Sequence, residues 1–261
     1  MRNLAQFLII SIVATVTGCS NDTPRSNSMT TSDQEPSRQR SEQEGSNLTD
    51  EAQARKLRSI TILRTEGIPF IEHLPLIQTE PESTRRTTEQ VAIRAMALCV
   101  VAAKGQGIEQ GTIDALINDF ALGSSFTPDE KEFINNPRPT QHDLVQFSWR
   151  YECYWVMLWA LGYIDELGRP DTACDANLAV SILLDNGRDG FLRNARLRPQ
   201  SEILDAADLI YRYHWAVVDA RINKRASPAS LDDGVVMERH HALNWLMGYM
   251  DQEWDDVSTD T

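Results

Sequence analysis

The chain has 261 residues, of which 41% are hydrophobic and 24% charged, with a formal net charge of −13. That composition suits one medium-sized globular domain plus additional segments. From Leu48 onward 21 basic residues face 33 acidic ones, a charge of −12. The acidity therefore belongs to the folded part, which repels phosphate and argues against nucleic acid as a ligand. A basic protein partner or a neutral small molecule is easier to accept, and the plainest role of the charge is solubility.

Arg2 gives the N-terminus a positive start, and Leu4 to Thr17 is mainly apolar, interrupted by Gln6, Ser11, Thr15 and Thr17. A bilayer span needs about 20 apolar residues, so this stretch is too short and too polar to cross comfortably. A basic start, a short apolar run and small residues at its end describe a secretory signal. Val16-Thr17-Gly18-Cys19 resembles the bacterial lipobox, which implies an acylated Cys19 thiol and cleavage just before it. One acyl chain binds a membrane only marginally, and several make a lasting anchor. The resemblance thus implies a membrane partner through the lipid at Cys19 and a place in the bacterial cell envelope. Ser20 after the cysteine resembles the outer-membrane, periplasm-facing default of Gram-negative lipoproteins.

Ser20 to Asn47 has Met29 as its only large apolar residue and no aromatics. It cannot offset the entropy of ordering and reads as a disordered tether, with a root-mean-square span of about 30 Å. The expected organisation is a signal over 1–18, a lipidated cysteine and tether over 19–47, and a helical domain over 48–261.

After Leu48 helical periods and caps recur without strand-like alternation, which predicts an all-α domain. A first helix is expected from about Asp50 to Glu66, stopped by Gly67, followed by a Pro-punctuated loop over 68–77. Thr87 and Gln90 form a capping box for a helix to Lys104, ended by Gly105. A weaker helix spans Ile108 to Leu122. Thr127-Pro128-Asp129-Glu130 combines an N-cap, a proline at the first helical position and the box glutamate. Thr140 opens a long helix to Leu161, ended by Gly162, and Asp175 caps one to Asp185. Pro199 starts the clearest helix, to about Lys224, and Asp233 the last, to about Met250. No Gly-rich phosphate loop, internal repeat or heptad pattern appears, and no cofactor is implied. With Cys19 acylated, Cys99, Cys153 and Cys174 remain; they read as buried inert thiols, or as one disulfide involving Cys174.

Some polar residues fall on apolar faces. Ile203, Ala207, Ile210, His214, Val217 and Arg221 share one stripe of the Pro199 helix. Asp205, Asp208, Arg212 and Asp219 lie opposite, as expected of a solvated face with Asp208 and Arg212 paired four apart. A buried Arg221 would need a carboxylate. Glu152, beside Trp149, Trp155, Val156 and Trp159, offers one, and a Glu152–Arg221 pair is expected, either fixing helix docking or marking a site. On the last helix Val236, Leu243, Met247 and Met250 form a core stripe, and Glu238, His241, Ala242, Trp245 and Tyr249 another. Glu238-x-x-His241 has the spacing of a metal-ligand pair, but it occurs once where bundle metal sites use it twice, so no metal is assigned. A packed hydrogen-bonded stripe, or a ligand groove involving Trp149, Trp159 and Trp245, stands beside that reading.

Taken together, Trp159-Ala160-Leu161-Gly162, Glu202-Ile203-Leu204-Asp205, Asp208-Leu209-Ile210-Tyr211-Arg212 with His214-Trp215, Val235-Val236 with Glu238-Arg239-His240, Ala242-Leu243-Asn244-Trp245 and Trp254-Asp255-Asp256-Val257 resemble the domain of unknown function 4272 family. The likeness covers about Arg55 to Thr261. It implies a single domain with its tail packed back and assigns no catalytic residue. Three functions remain, one of them a purely structural lipoprotein. A tethered acidic binding module for a protein or envelope component is favoured. The alternative is an envelope hydrolase using Glu152, His214, Arg221, Glu238 or His241 as acid, base or charge partner.

Overall fold

The structure, a computed structural model, describes residues 38–261, with side chains from Asp50 onward. The expected signal, Cys19 and the tether as far as residue 37 lie outside the described residues. Among the described residues the domain is built of helices, with no strand.

Helix α1 (Arg38–Glu66) starts earlier than Asp50, so residues 38–47 of the expected tether are helical backbone. That stretch is rich in Arg, Gln and Glu, good helix formers that propagate a helix once its packed half has nucleated it. Gly67 (φ +69°) stops α1, with Ile68 N donating back to Leu63 O.

Helix α2 (Thr88–Gly105) opens on the expected box: Thr87 Oγ1 accepts from Gln90 N, and Thr87 N donates to Gln90 Oε1. Nearly all of it from Val91 on is buried, and it carries apolar residues around its whole circumference, as a central helix must. α3 (Gln110–Asp119), α4 (Pro128–Asn135), α5 (Gln141–Ser148), α6 (Arg150–Ala160) and α7 (Ala176–Asn194) pack around it. Gly105 is not the stop. The left-handed turn falls at Gly107 (φ +85°), while Gly105 lets α2 meet α5. A Cβ at Gly105 would lie 2.8 Å from Ser148 Cα and nearer still to the Phe147–Ser148 peptide, so only glycine permits that approach.

The long helix expected from Thr140 is two helices. It breaks at Trp149, where α5, packed on α2 with Phe147 stacked on Phe133 of α4, gives way to α6, which lies against α2, α7 and α9. Helix α7 runs past Asp185 through a kink at Gly187 (φ +59°, ψ 175°). Helix α8 (Gln200–Ile222) lies between α1 and α9 (Asp233–Met247), and α9 in turn packs on α6. Asp232 caps α9 by accepting from Gly234 N and Val235 N. Gly248 (φ +70°) ends it, so Met250 falls in a turn beyond and is exposed instead of joining the core stripe. The tail folds back as the resemblance implied. Trp254 is buried, and Asn244 Nδ2 donates to Ser258 O at 2.8 Å.

Candidate functional site

The sequence-nominated acids are sealed where α6 meets α9. Glu152, 2% exposed, accepts from Arg239 Nε at 3.0 Å and from the Cys174 backbone N–H. Arg239 also donates to Leu167 O and Gly168 O. Glu238 accepts from Arg150 Nη1 at 2.6 Å and from Cys153 Sγ at 3.0 Å. Each helix thus contributes one cation and one anion, and the two pairs run in opposite senses. Buried pairs add little net stability over apolar packing, but a mismatched register would leave charges unpaired.

This corrects the expected Glu152–Arg221 pair. Arg221 sits exposed near the end of α8, and the guanidinium facing Glu152 comes from α9. The acidic face of α8 needs a second correction. Asp208 and Arg212 do pair, at 2.7 and 2.8 Å, but both are buried, because α1 covers that side and brings the buried Lys56 against it.

His214 and His240 meet between α8 and α9, Nδ1 to Nδ1 at 2.8 Å, with rings nearly perpendicular. One Nδ1 must donate and the other accept, which requires at least one neutral ring. Burial, then the charge of Arg221, pushes His214 down to about 4; burial, then the neighbouring His214 and His241, pushes His240 down to about 3. His241 packs on the Trp254 ring, its Nε2 buried without a hydrogen-bond partner among the described residues. Burial, followed by Arg150, lowers it to about 4. Glu152 and Glu238 thus lie in neighbouring ion pairs at the α6–α9 interface, His241 stands near the Arg150–Glu238 pair, and His214 meets His240 between α8 and α9.

A concavity lies elsewhere. A cleft of about 780 Å³ opens between the start of α2, the start of α4, the end of α9 and the tail. Its floor is Trp245 and Trp254, edge to face at 5.5 Å. The Arg86 guanidinium lies 4.6 Å from the Trp245 ring centre and donates to Trp245 O and Gln252 O. Arg94 lies 4.9 Å from the Trp254 ring centre and is gripped by both oxygens of Glu130 at 2.7 and 2.6 Å. The same Glu130 closes the α4 capping box by accepting from Thr127 N, so one carboxylate sets both the helix start and the cleft wall. Asp129, Glu253, Asp255 and Asp256 line the cleft, all exposed. Among the described residues none of the four pairs with a cation.

The three tryptophans nominated for a groove part company. Trp245 lines this cleft. Trp149 stacks on Gly234 and borders a cavity of about 60 Å³ with Tyr151, Glu152 and Cys174. Trp159 is covered by Arg198, which donates to its carbonyl. The sequence reading missed Arg86, Arg94 and the rim acids. Thr127 to Glu130 was legible only as a cap, and Trp254 to Asp256 only as part of the resemblance. Cys99, Cys153 and Cys174 are free thiols, and burial raises Cys99 to about 12 and the other two further.

Among the described residues, no three His, Cys, Asp or Glu side chains gather as a metal site. No described helix is long and apolar enough to cross a membrane. No curated protein and no solved structure matches the chain. The family described as "Domain of unknown function (DUF4272)" matches residues 55–257, which spans the helices from α1 to the buried tail, and the chain belongs to that family.

Proposed function

We propose that this chain is a lipid-anchored protein of the bacterial envelope, held by acyl groups on Cys19, whose acidic helical domain binds a protein partner. One observation carries the reading of the domain. The buried acids and His214 and His240 are engaged within the helix packing, whereas the cleft is an open concavity with exposed carboxylates at its rim and two indoles at its floor. Ligand sites are typically concavities of roughly 300–1,000 Å³ with apolar walls and a few placed polar groups, and this cleft has that character. The hydrolase alternative needs Glu152, His214, Glu238 and His241 open to one substrate, and the closure of both acids by guanidiniums and of His214 by His240 favours the recognition module over it. The anchor rests on the Val16-Thr17-Gly18-Cys19 sequence.

Two measurements test the two halves. Radiolabelled palmitate should enter the wild-type protein and not Cys19→Ala; an unlabelled wild type, or a native product beginning with Met1, would remove the anchor. Affinity capture from envelope extracts in mild detergent should return a stoichiometric protein partner, and repeated failure would remove the recognition module.

A further inference from the structure

The geometry points to the occupant of the cleft: an extended polypeptide segment bearing lysine or arginine side chains. This rests on the recognition-module reading and gives it a chemistry.

The charges in the cleft are unevenly satisfied. Arg94 Nη2 donates to both oxygens of Glu130, while its Nε lacks a partner among the described residues, and Arg86 is held by two main-chain carbonyls and the Trp245 face. Among the described residues, the four carboxylates of Asp129, Glu253, Asp255 and Asp256 have no cationic partner. Among the described residues, the one hydrogen bond that a rim carboxylate receives comes from Asp129 N to Asp255 Oδ2, at 3.3 Å. An anionic ligand would reach the guanidiniums past four like charges. A cationic one meets free carboxylates first, on a domain already at −12.

The carboxylates do not converge. No three acids among the described residues lie close enough to hold one ion, so they suit several positive charges spread along a chain better than a single metal. Between them lie Trp245, Trp254, Phe126 and Ile93, an apolar bed for the methylene stems that lysine and arginine lay down while their heads stay at the rim. Gln90 and Ser125 add hydrogen-bonding side chains for a main chain crossing the floor. Glu130 and Asp255 brace the start of α4 against α2 and the tail, so the walls are in place before a ligand arrives.

The test uses the full-length protein in detergent micelles and a synthetic peptide of alternating arginine and glycine. Its glutamate–glycine counterpart and calcium chloride serve as separate arms. Tryptophan emission and titration calorimetry report binding. The expected result is one saturable site for the basic peptide, weakening steeply with salt, and none for the acidic peptide. Glu253→Gln with Asp256→Asn should weaken it about tenfold at low salt, the loss of two rim ion pairs. Both side chains are exposed and unbonded, so the fold is left intact. Asp165→Asn with Glu166→Gln, equally exposed and outside the cleft, should change affinity less than about twofold, the general field effect alone. No binding, equal weakening by the two double variants, preference for the acidic peptide, or calcium binding lost with Glu253 and Asp256 would each overturn the assignment. An envelope partner captured equally well by the Glu253→Gln/Asp256→Asn protein would overturn the cleft while leaving the recognition module standing; capture by neither protein would remove both.

Discussion

Glu152→Gln measures how the interior is held together. In the parent, Glu152 Oε1 accepts from Cys174 N–H and Oε2 from Arg239 Nε, and both charged side chains are under 5% exposed. Glutamine keeps the shape but only one acceptor. Its amide must then point NH₂ at either Cys174 N–H or the guanidinium, donor against donor. Arg239 retains Leu167 O and Gly168 O but loses its counter-ion. Breaking a buried pair on one side costs about 3–5 kcal/mol, and the retained shape and carbonyls place this case near 3. For a domain of this size that is a fall in Tm of about 6–12 °C. Arg221→Met, on an exposed side chain, should cost less than about 0.5 kcal/mol. Urea titration of the double-mutant cycles gives the decisive number. Glu152 should couple to Arg239 by about 2 kcal/mol and to Arg221 by about zero. A Glu152→Gln protein within about 0.5 kcal/mol of the parent, or coupling to Arg221 as large as to Arg239, would refute the assignment.

Acid should destabilise the fold through its histidines. His214, His240 and His241 titrate below their unfolded value of about 6.5, so the unfolded chain takes up protons first. Their contribution is complete above pH 6.5 and is lost as pH falls toward 4 and then 3. Each fully protonated unfolded histidine gives a slope of about 1.4 kcal/mol per pH unit, and His214→Leu/His240→Leu should remove most of the slope between pH 6.5 and 5 in urea titrations; an unchanged slope would count against the buried pair. Gly105→Ala should cost at least about 2 kcal/mol, because its Cβ meets the main chain of Ser148, while Gly123→Ala, with open space around it, should be near neutral. Trp254→Ala should cost about 3–5 kcal/mol and expose the segment after Gly248 to limited proteolysis, since that ring packs on Arg94, Trp245 and His241; a tail that stays protected would refute its role as the pin.

The parts legible in the sequence were those set by neighbours along the chain. The boxes at Thr87–Gln90 and Thr127–Glu130, the cap at Asp175 and the stop at Gly162 each need only a few adjacent residues. Helical periodicity also placed Glu152 and His214 inside. It could not say against which helix. The stripe containing Arg221 runs off the end of the packed part of α8, and the polar stripe holding Asp208 and Arg212 reads as solvated unless α1 is known to cover it. The break at Trp149 is of the same kind, because the local sequence favours one helix and different packing partners divide it. The cleft was illegible for a further reason. Its residues come from separate segments, Arg86 and Arg94, Asp129, Trp245 and Trp254 to Asp256, and only closure of the tail brings them together.

The buried charges and the open cleft are linked through α9. Glu238 and Arg239 lock that helix to α6, and His240 locks it to α8, each through a partner that tolerates no slip of one residue. Trp245 stands seven residues beyond Glu238, two turns along the same face, so the register set inside also sets where the cleft floor lies. Trp254 packs on that floor and on His241, and Glu130 holds Arg94 over it. An apolar interface between α6 and α9 could slide by a turn at modest cost. One carrying two ion pairs of opposite sense cannot, since a displaced register leaves buried charges unpaired. The ionisable interior thus fixes the register that places the two indoles beneath the cleft and the four carboxylates at its rim.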